Sequence, residues 1–255
     1  TVSDVNFINR ATKGVYELGS VFKTFTIAAG LEEGLIKTDT KFLNLEKRLK
    51  CGKNIISEYD KKIPSDLTAE QILIRSGNIG SVRIGQKLEI DKLKLFLEKI
   101  GVLSKIDFDI EEVGEPIPFK WGKCKLATVS FGHGITTTPL QLAKGYAIIA
   151  NGGFAIKPSL IKKTLENNKI KKRIIKEGVS KEINQILRKI VTTKEGTAGL
   201  ANIEGYEVGG KTGTAEKVVV GGYTRKAKVN TFASIFPTSK PKYVMIVLLD
   251  EPKTS

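Results

Sequence analysis

Histidine, tryptophan and methionine each occur once in the 255 residues, and cysteine only twice. With His133 the sole histidine, a Ser-His-Asp hydrolase would have no other base, and no Gly-x-Ser-x-Gly elbow is present to carry its nucleophile. Cys51 and Cys124 lie far apart, and neither has a second cysteine or a histidine at metal-ligand spacing. Neither a zinc site nor a disulfide framework is indicated, no metal or other cofactor is expected, and pairing of the two thiols in an oxidising compartment stays open. The basic clusters Lys162-Lys163 and Lys169 to Arg173 have no interleaved aromatics. The net charge of +15 therefore implies attraction to anionic surfaces in general, with no nucleic-acid partner. No apolar run approaches the roughly 18 residues of a membrane span, and no basic-apolar-small leader pattern occurs.

What the sequence does have is one helix that is apolar over most of its circumference. Gly19 and Ser20 supply a turn and a cap, and Val21, Phe22, Phe25, Ile27, Ala28, Ala29 and Leu31 send the following helix into a core. Ser20 and Lys23, three residues apart, share one face of its first turn, so the amine can reach the hydroxyl and a nucleophile stands beside a candidate base. The helix start adds free backbone N–H groups and a positive dipole end, which favour a developing alkoxide and an oxyanion beside it. The same Ser-x-x-Lys spacing recurs at Ser159 to Lys162 and at Ser239 to Lys242, in stretches that read as solvated loops. Only Lys23 is carried on a buried helix.

Along the chain, residues 37–66 read as loops and small strands, with one extended piece at Asn54 to Glu58. Thr68 with Gln71 makes a capping box for a short helix ending near Arg75. Helices follow at about Ile79 to Lys87 and at Asp91 to Ile100, where Gly101 stops the apolar period. Residues 102–126, with Pro116, Pro118 and Trp121, read as a loop. Pro139 to Ala150 is a second buried helix, ended by Asn151-Gly152-Gly153, and Lys181 to Thr192 is amphipathic. From there the period becomes that of strands, at Tyr206 to Lys217, Thr231 to Phe236 and Tyr243 to Asp250, a three-stranded antiparallel meander. The fold expected is α+β, with a mainly helical subdomain over residues 20–150 and a sheet over residues 200–255.

Two further patterns occur once each. Ser76-x-Asn78 follows a helix end, and Lys211-Thr212-Gly213-Thr214 lies on the first strand of the meander. A glycine within a strand weakens it, and close approach of another backbone, such as a substrate peptide, is one reason to keep it. Gly205 to Thr212 also satisfies the P-loop string, and Val244 to Glu251 a Walker B pattern. The context opposes a nucleotide site, because no helix is expected after Lys211 and only about 40 residues remain for a βα fold.

Ser-x-x-Lys, Ser-x-Asn and Lys-Thr-Gly, in that order, form the signature set of serine β-lactamases and penicillin-binding proteins. The wider strings Asn9-Arg10, Tyr16 to Ser20, Leu73 to Asn78, Val129 to Gly134, Thr138 to Ala143 and Val208 to Lys217 resemble the transpeptidase domain of class B penicillin-binding proteins. The resemblance is strongest to the septal, cell-division FtsI type and covers nearly the whole chain. Leu18 stands where that family commonly has proline and Gly77 where a second serine is frequent; neither position carries chemistry.

The resemblance implies a β-lactamase/transpeptidase-like fold and a D,D-transpeptidase that cross-links peptidoglycan stem peptides and is inhibited covalently by β-lactams. Ser20 would attack the D-Ala-D-Ala amide, Lys23 take its proton, Ser76 relay a proton to the leaving amine and Asn78 hold the substrate amide. Lys211 would supply positive charge near Ser76, and Thr212 and Thr214, flanking Gly213, would bind the substrate carboxylate. The N–H groups of Ser20 and Thr214 would form the oxyanion hole. A lysine base must be neutral, and moving one from about 10.4 to near 7 takes roughly 4 to 5 kcal/mol of differential environment, which burial and the Lys211 charge could supply. The family further implies division-complex membrane proteins as partners and a place at the bacterial inner membrane, facing the periplasm. It also implies that residues 1–255 are a partial domain, whose last strand lacks neighbours and exposes an apolar edge that invites self-association. A serine β-lactamase or a β-lactam sensor would share the scaffold; no Glu-x-x-Leu-Asn string is present for the former.

Overall fold

The protein, seen in a computed structural model, is described over residues 7–162, 172–219 and 222–253. The first six residues, Lys163, residues 169–171 of the second basic cluster and Gly221 lie outside the described residues.

The chain enters through a 3-10 turn, Gly19–Phe22, that runs directly into α1 (Lys23–Glu32). Every residue of α1 from Lys23 to Leu31 is buried, as the apolar circumference predicted, so this helix is surrounded by protein on all sides. Short strands follow: β1 (Lys41–Phe42), β2 (Arg48–Cys51), β3 (Asn54–Ser57) and β4 (Leu67–Thr68). β1 pairs antiparallel with β4, and β2 with β3 as a hairpin. The expected capping box is present, with Thr68 accepting from the Gln71 N–H and Gln71 from the Thr68 N–H, and it opens α2 (Ala69–Ile74).

α3 (Asn78–Ile100) begins two residues after Ser76, breaks its helical geometry at Glu89 and ends on the left-handed Gly101. The break falls in the gap expected between two helices. α4 (Lys123–Val129) corrects the reading of 102–126 as loop throughout: its first residues are lysine and cysteine, and only Leu126, Ala127 and Val129 bury. So short an apolar face has no legible period. α5 (Pro139–Ala150) has a second capping box, Thr138 with Gln141, and α6 (Glu177–Thr192) starts four residues earlier than its apolar period.

The sheet is a meander of β5 (Gly209–Val219), β6 (Gly222–Phe236) and β7 (Tyr243–Asp250), all antiparallel. α5 and α6 pack against it. Among the described residues β7 pairs only with β6, and its Tyr243, Met245, Val247 and Leu249 are between 40% and 60% exposed. The core that ties helices to sheet is built on α1, where Phe22, Phe25 and Tyr146 meet edge to face and the Tyr146 hydroxyl donates to the Val21 carbonyl at 2.9 Å.

A disulfide joins Cys51 to Cys124, with Cα atoms 5.4 Å apart, and so ties the β2–β3 hairpin to α4. This resolves the state of the two thiols, which lie 73 residues apart in the sequence.

Candidate active site

Ser20 stands in the 3-10 turn at the start of α1, and three segments converge on it. Gly19 has φ +65°, and a side chain there would meet the Thr214 carbonyl at 2.5 Å, so the backbones of the turn and of β5 touch. Gly132 has φ +89° and abuts the Gly19 carbonyl. Both positions need left-handed backbone and no Cβ. Gly213 is approached closely too, but by the Leu18 carbonyl and Val21 of this same chain. The glycine that the sequence reading linked to a substrate peptide is required by the protein's own packing.

Lys23 is fully buried. Its Nζ donates to the Ser76 carbonyl at 2.5 Å, the Asn78 Oδ1 at 2.6 Å and the Ser76 Oγ at 3.1 Å. Among the described residues no hydrogen bond joins it to Ser20, so the expected serine–lysine pair is present as neighbours along one helix turn without a direct bond. Burial, the larger influence, brings the Lys23 amine down from 10.5 to about 7, against an opposing pull from the Glu58 carboxylate. That shift corresponds to about 5 kcal/mol of preference for the neutral form.

Ser76 accounts for the convergence. It has φ +58°, a left-handed conformation costing a non-glycine residue about 1 to 2 kcal/mol. The conformation turns its carbonyl and its hydroxyl toward the same ammonium. Lys211, also fully buried, donates to the Ser76 Oγ at 2.9 Å and to the Thr212 carbonyl at 3.0 Å. A serine hydroxyl has two acceptor positions and one donor. With both acceptor positions taken by lysines, the Ser76 proton is left to point elsewhere. Burial first, and the Lys23 charge second, hold the Lys211 amine well below the usual lysine range.

Glu58 and Thr197, which the sequence reading did not single out, support these groups. The Asn78 Nδ2 donates to the Ser57 carbonyl at 2.8 Å, and the Glu58 carboxylate accepts the Asn78 and Ile79 N–H groups at 2.7 and 2.8 Å. Thr197 shares a 2.8 Å hydroxyl–hydroxyl hydrogen bond with Thr212. Neither Glu58 nor Thr197 belongs to a local pattern; their only signal is three-dimensional. His133 lies beside the Glu17 carboxylate, Nδ1 to Oε2 3.5 Å, and stacks on Phe131.

Ser20, Lys23, Ser76, Asn78, Thr197, Thr212, Gly213 and Thr214 line one cleft of about 470 Å³, and Lys211 reaches it through the Ser76 hydroxyl. It is also lined by Tyr59, Asp60, Arg75, Glu195 and Glu216. Every residue expected to do chemistry is therefore in one place. The P-loop string is not arranged to hold phosphate: its last residues, from Gly209, lie on β5, which continues as strand to Val219 with no helix N-terminus after the lysine.

Comparison with known proteins agrees. The Penicillin binding protein transpeptidase domain family matches residues 2–255. The chain is 33% identical over 260 residues to "Probable peptidoglycan D,D-transpeptidase FtsI" of Caulobacter vibrioides, covering 98% of this chain and 44% of that protein. It is 33% identical over 258 residues to "Stage V sporulation protein D" of Bacillus subtilis, covering 93% of this chain and 38% of that protein. It thus spans less than half the length of these relatives. The transpeptidase domain of Burkholderia pseudomallei penicillin-binding protein 3 superposes with a TM-score of 0.90 at 26% identity, over 96% of this chain and 74% of that one. Penicillin-binding protein 3 of Mycobacterium tuberculosis in complex with aztreonam superposes with a TM-score of 0.87 at 25% identity, over 96% and 58%. The fold is accordingly α+β of the β-lactamase/transpeptidase type, and the chain belongs to the penicillin-binding protein transpeptidase domain family.

Proposed function

We propose that this domain is a peptidoglycan D,D-transpeptidase that acylates Ser20 with stem peptides ending in D-Ala-D-Ala and passes the acyl group to an acceptor amine in septal wall synthesis. The observation that carries the reading is the pair of buried lysines meeting at the Ser76 hydroxyl, in the cleft that also holds Ser20. A neutral Lys23 takes the Ser20 proton as Oγ bonds to the penultimate D-Ala carbonyl carbon. The N–H groups of Ser20 and Thr214 hold the oxyanion. Ser76 then gives its proton to the nitrogen of the terminal D-Ala and recovers one from Lys23, the C–N bond breaks, and free D-Ala leaves. An acceptor amine next attacks the ester, the Ser20 Oγ–C bond breaks, and the proton returns to Ser20.

The substrate carboxylate, held by Thr212 and Thr214, approaches Lys211, whose Nζ already contacts the Thr212 carbonyl. An anion there favours the charged form of Lys211 and leaves Lys23 as the neutral amine. Asn78 orients the substrate amide. β-Lactams would acylate the same serine as substrate mimics, as the family name and the aztreonam-bound relative suggest. The Cys51–Cys124 disulfide is of the kind that persists in oxidising compartments and supports a domain facing the periplasm from the inner membrane. Division-complex membrane proteins are the partners this reading assigns to the full protein.

The test is incubation with a synthetic stem pentapeptide, with and without a second stem peptide as acceptor. Release of D-Ala and an acceptor-dependent cross-linked dimer are expected. Penicillin labelling without D-Ala release would make the domain a sensor, and rapid steady-state nitrocefin turnover would make it a β-lactamase.

A further inference from the structure

Glu58 follows β3 directly and caps the head of α3. The residue before Asn78 is Gly77, which offers no side-chain cap, so the first N–H groups of a 23-residue helix need an acceptor from elsewhere. Glu58 supplies it with both carboxylate oxygens, one on each of the first two N–H groups. The preceding carbonyl, Ser57, accepts the Asn78 Nδ2. A carbonyl can only accept, so the amide has one orientation, and its Oδ1 is directed at the Lys23 Nζ, 2.6 Å away. The end of one hairpin thereby fixes the backbone, the amide plane and the polarity of Asn78. The hairpin is itself anchored, since β2 ends in Cys51 and is bonded to α4 through Cys124.

We propose that Glu58 is a positioning residue for the acylation of Ser20: it locks the head of α3 so that Asn78 grips Lys23, and it sets a carboxylate charge one residue removed from the buried amine, across Asn78. The inference rests on the reading of Ser20 as nucleophile. Lys211 on β5 is the other buried lysine at this centre, and its amine is held down by burial and then by the Lys23 charge; Asp60, Arg75, His133, Glu195 and Glu216 also line the cleft. Burial drives Lys23 toward the neutral amine, and Glu58 restrains that drift. A neutral cap would satisfy α3 in part but leave Lys23 without its counter-charge.

The test compares wild type, Glu58→Gln and Glu58→Asp by the rate of Ser20 acylation with a fluorescent penicillin between about pH 5.5 and 9, normalised to the sites that finally label. In Glu58→Gln the acid-side midpoint is expected to fall by roughly one pH unit, because the amine loses the charge that favours its proton. The plateau rate should also fall roughly tenfold as Asn78 loosens. Glu58→Asp keeps the wild-type midpoint and recovers part of the plateau. Loss of all labelling in Glu58→Gln with retention in Glu58→Asp supports the proposal equally. A Glu58→Gln protein that melts earlier yet keeps the wild-type pH profile reduces Glu58 to a helix cap and overturns it, as does an aspartate variant no better than glutamine. Failure of the wild type to label at Ser20 would instead sink the reading on which the proposal stands.

Discussion

Ser20–Lys23 and the two other Ser-x-x-Lys strings carry the same residues at the same spacing in opposite surroundings. Ser159 donates its hydroxyl to Asp109 at 2.6 Å and Lys162 lies in solvent. Ser239 is bonded to the Glu207 carboxylate and Lys242 is likewise exposed. In both, a carboxylate holds the serine and nothing desolvates the lysine. At Ser20 the order is reversed: the lysine is enclosed, held by neutral oxygens of Ser76 and Asn78, and faced by a second buried lysine. Spacing brings a hydroxyl and an amine together, but a base comes from removing water from the amine.

The sharpest way to break the comparison is to remove each serine in turn. Ser20→Ala should abolish acylation, a loss of order 10⁶-fold, while Ser159→Ala and Ser239→Ala leave it unchanged; peptide mapping of the penicillin adduct decides. Next in size is Lys23→Arg. A guanidinium does not give up its proton, so acylation should fall by roughly 10² to 10⁴-fold, and Lys162→Arg and Lys242→Arg should do nothing. The wild-type rate should climb with pH through about 7, as Lys23 becomes neutral.

The same depressed lysines act on stability. Their folded forms bind fewer protons than the unfolded chain from about pH 7 upward, so the free energy of unfolding should rise with pH until the unfolded lysines also lose theirs near 10. Urea titrations at pH 7 and pH 9 test this sign, with a slope of up to about 1.4 kcal/mol per pH unit for each lysine. Replacing Cys51 and Cys124 by serine removes a crosslink spanning 73 residues and should cost about 4 kcal/mol in those titrations, slowing Ser20 acylation as the hairpin loosens. The smallest effect is expected for Thr197→Val. It deletes one hydrogen bond to Thr212, worth about 1 kcal/mol, and should raise the KM for a carboxylate-bearing donor several-fold with little change in kcat.

Local signals carried the helices and strands that have caps or a period. The Thr68 capping box, the break near Glu89, the stop at Gly101 and the bounds of β7 could all be read from neighbours in the chain. Ser20 and Lys23, the proposed nucleophile and base, were legible for the same reason, being a pattern within one turn. Glu58, Thr197 and the disulfide were not. Each acts on a partner brought close only by packing: Glu58 on α3, Thr197 on β5, Cys51 on α4. α4 escaped because its apolar residues are too few to show a period between Pro118 and Gly132.

The three glycines around Ser20 also limit how this site can change by descent. Gly19, Gly132 and Gly213 line the cleft against backbone atoms, which cannot rotate away from an added methyl group. A side chain at any of the three would have to move the main chain itself, so single substitutions there should be costly. Change in the lining should come more cheaply at Tyr59, Asp60, His133, Glu195 and Glu216, which meet the cleft through side chains.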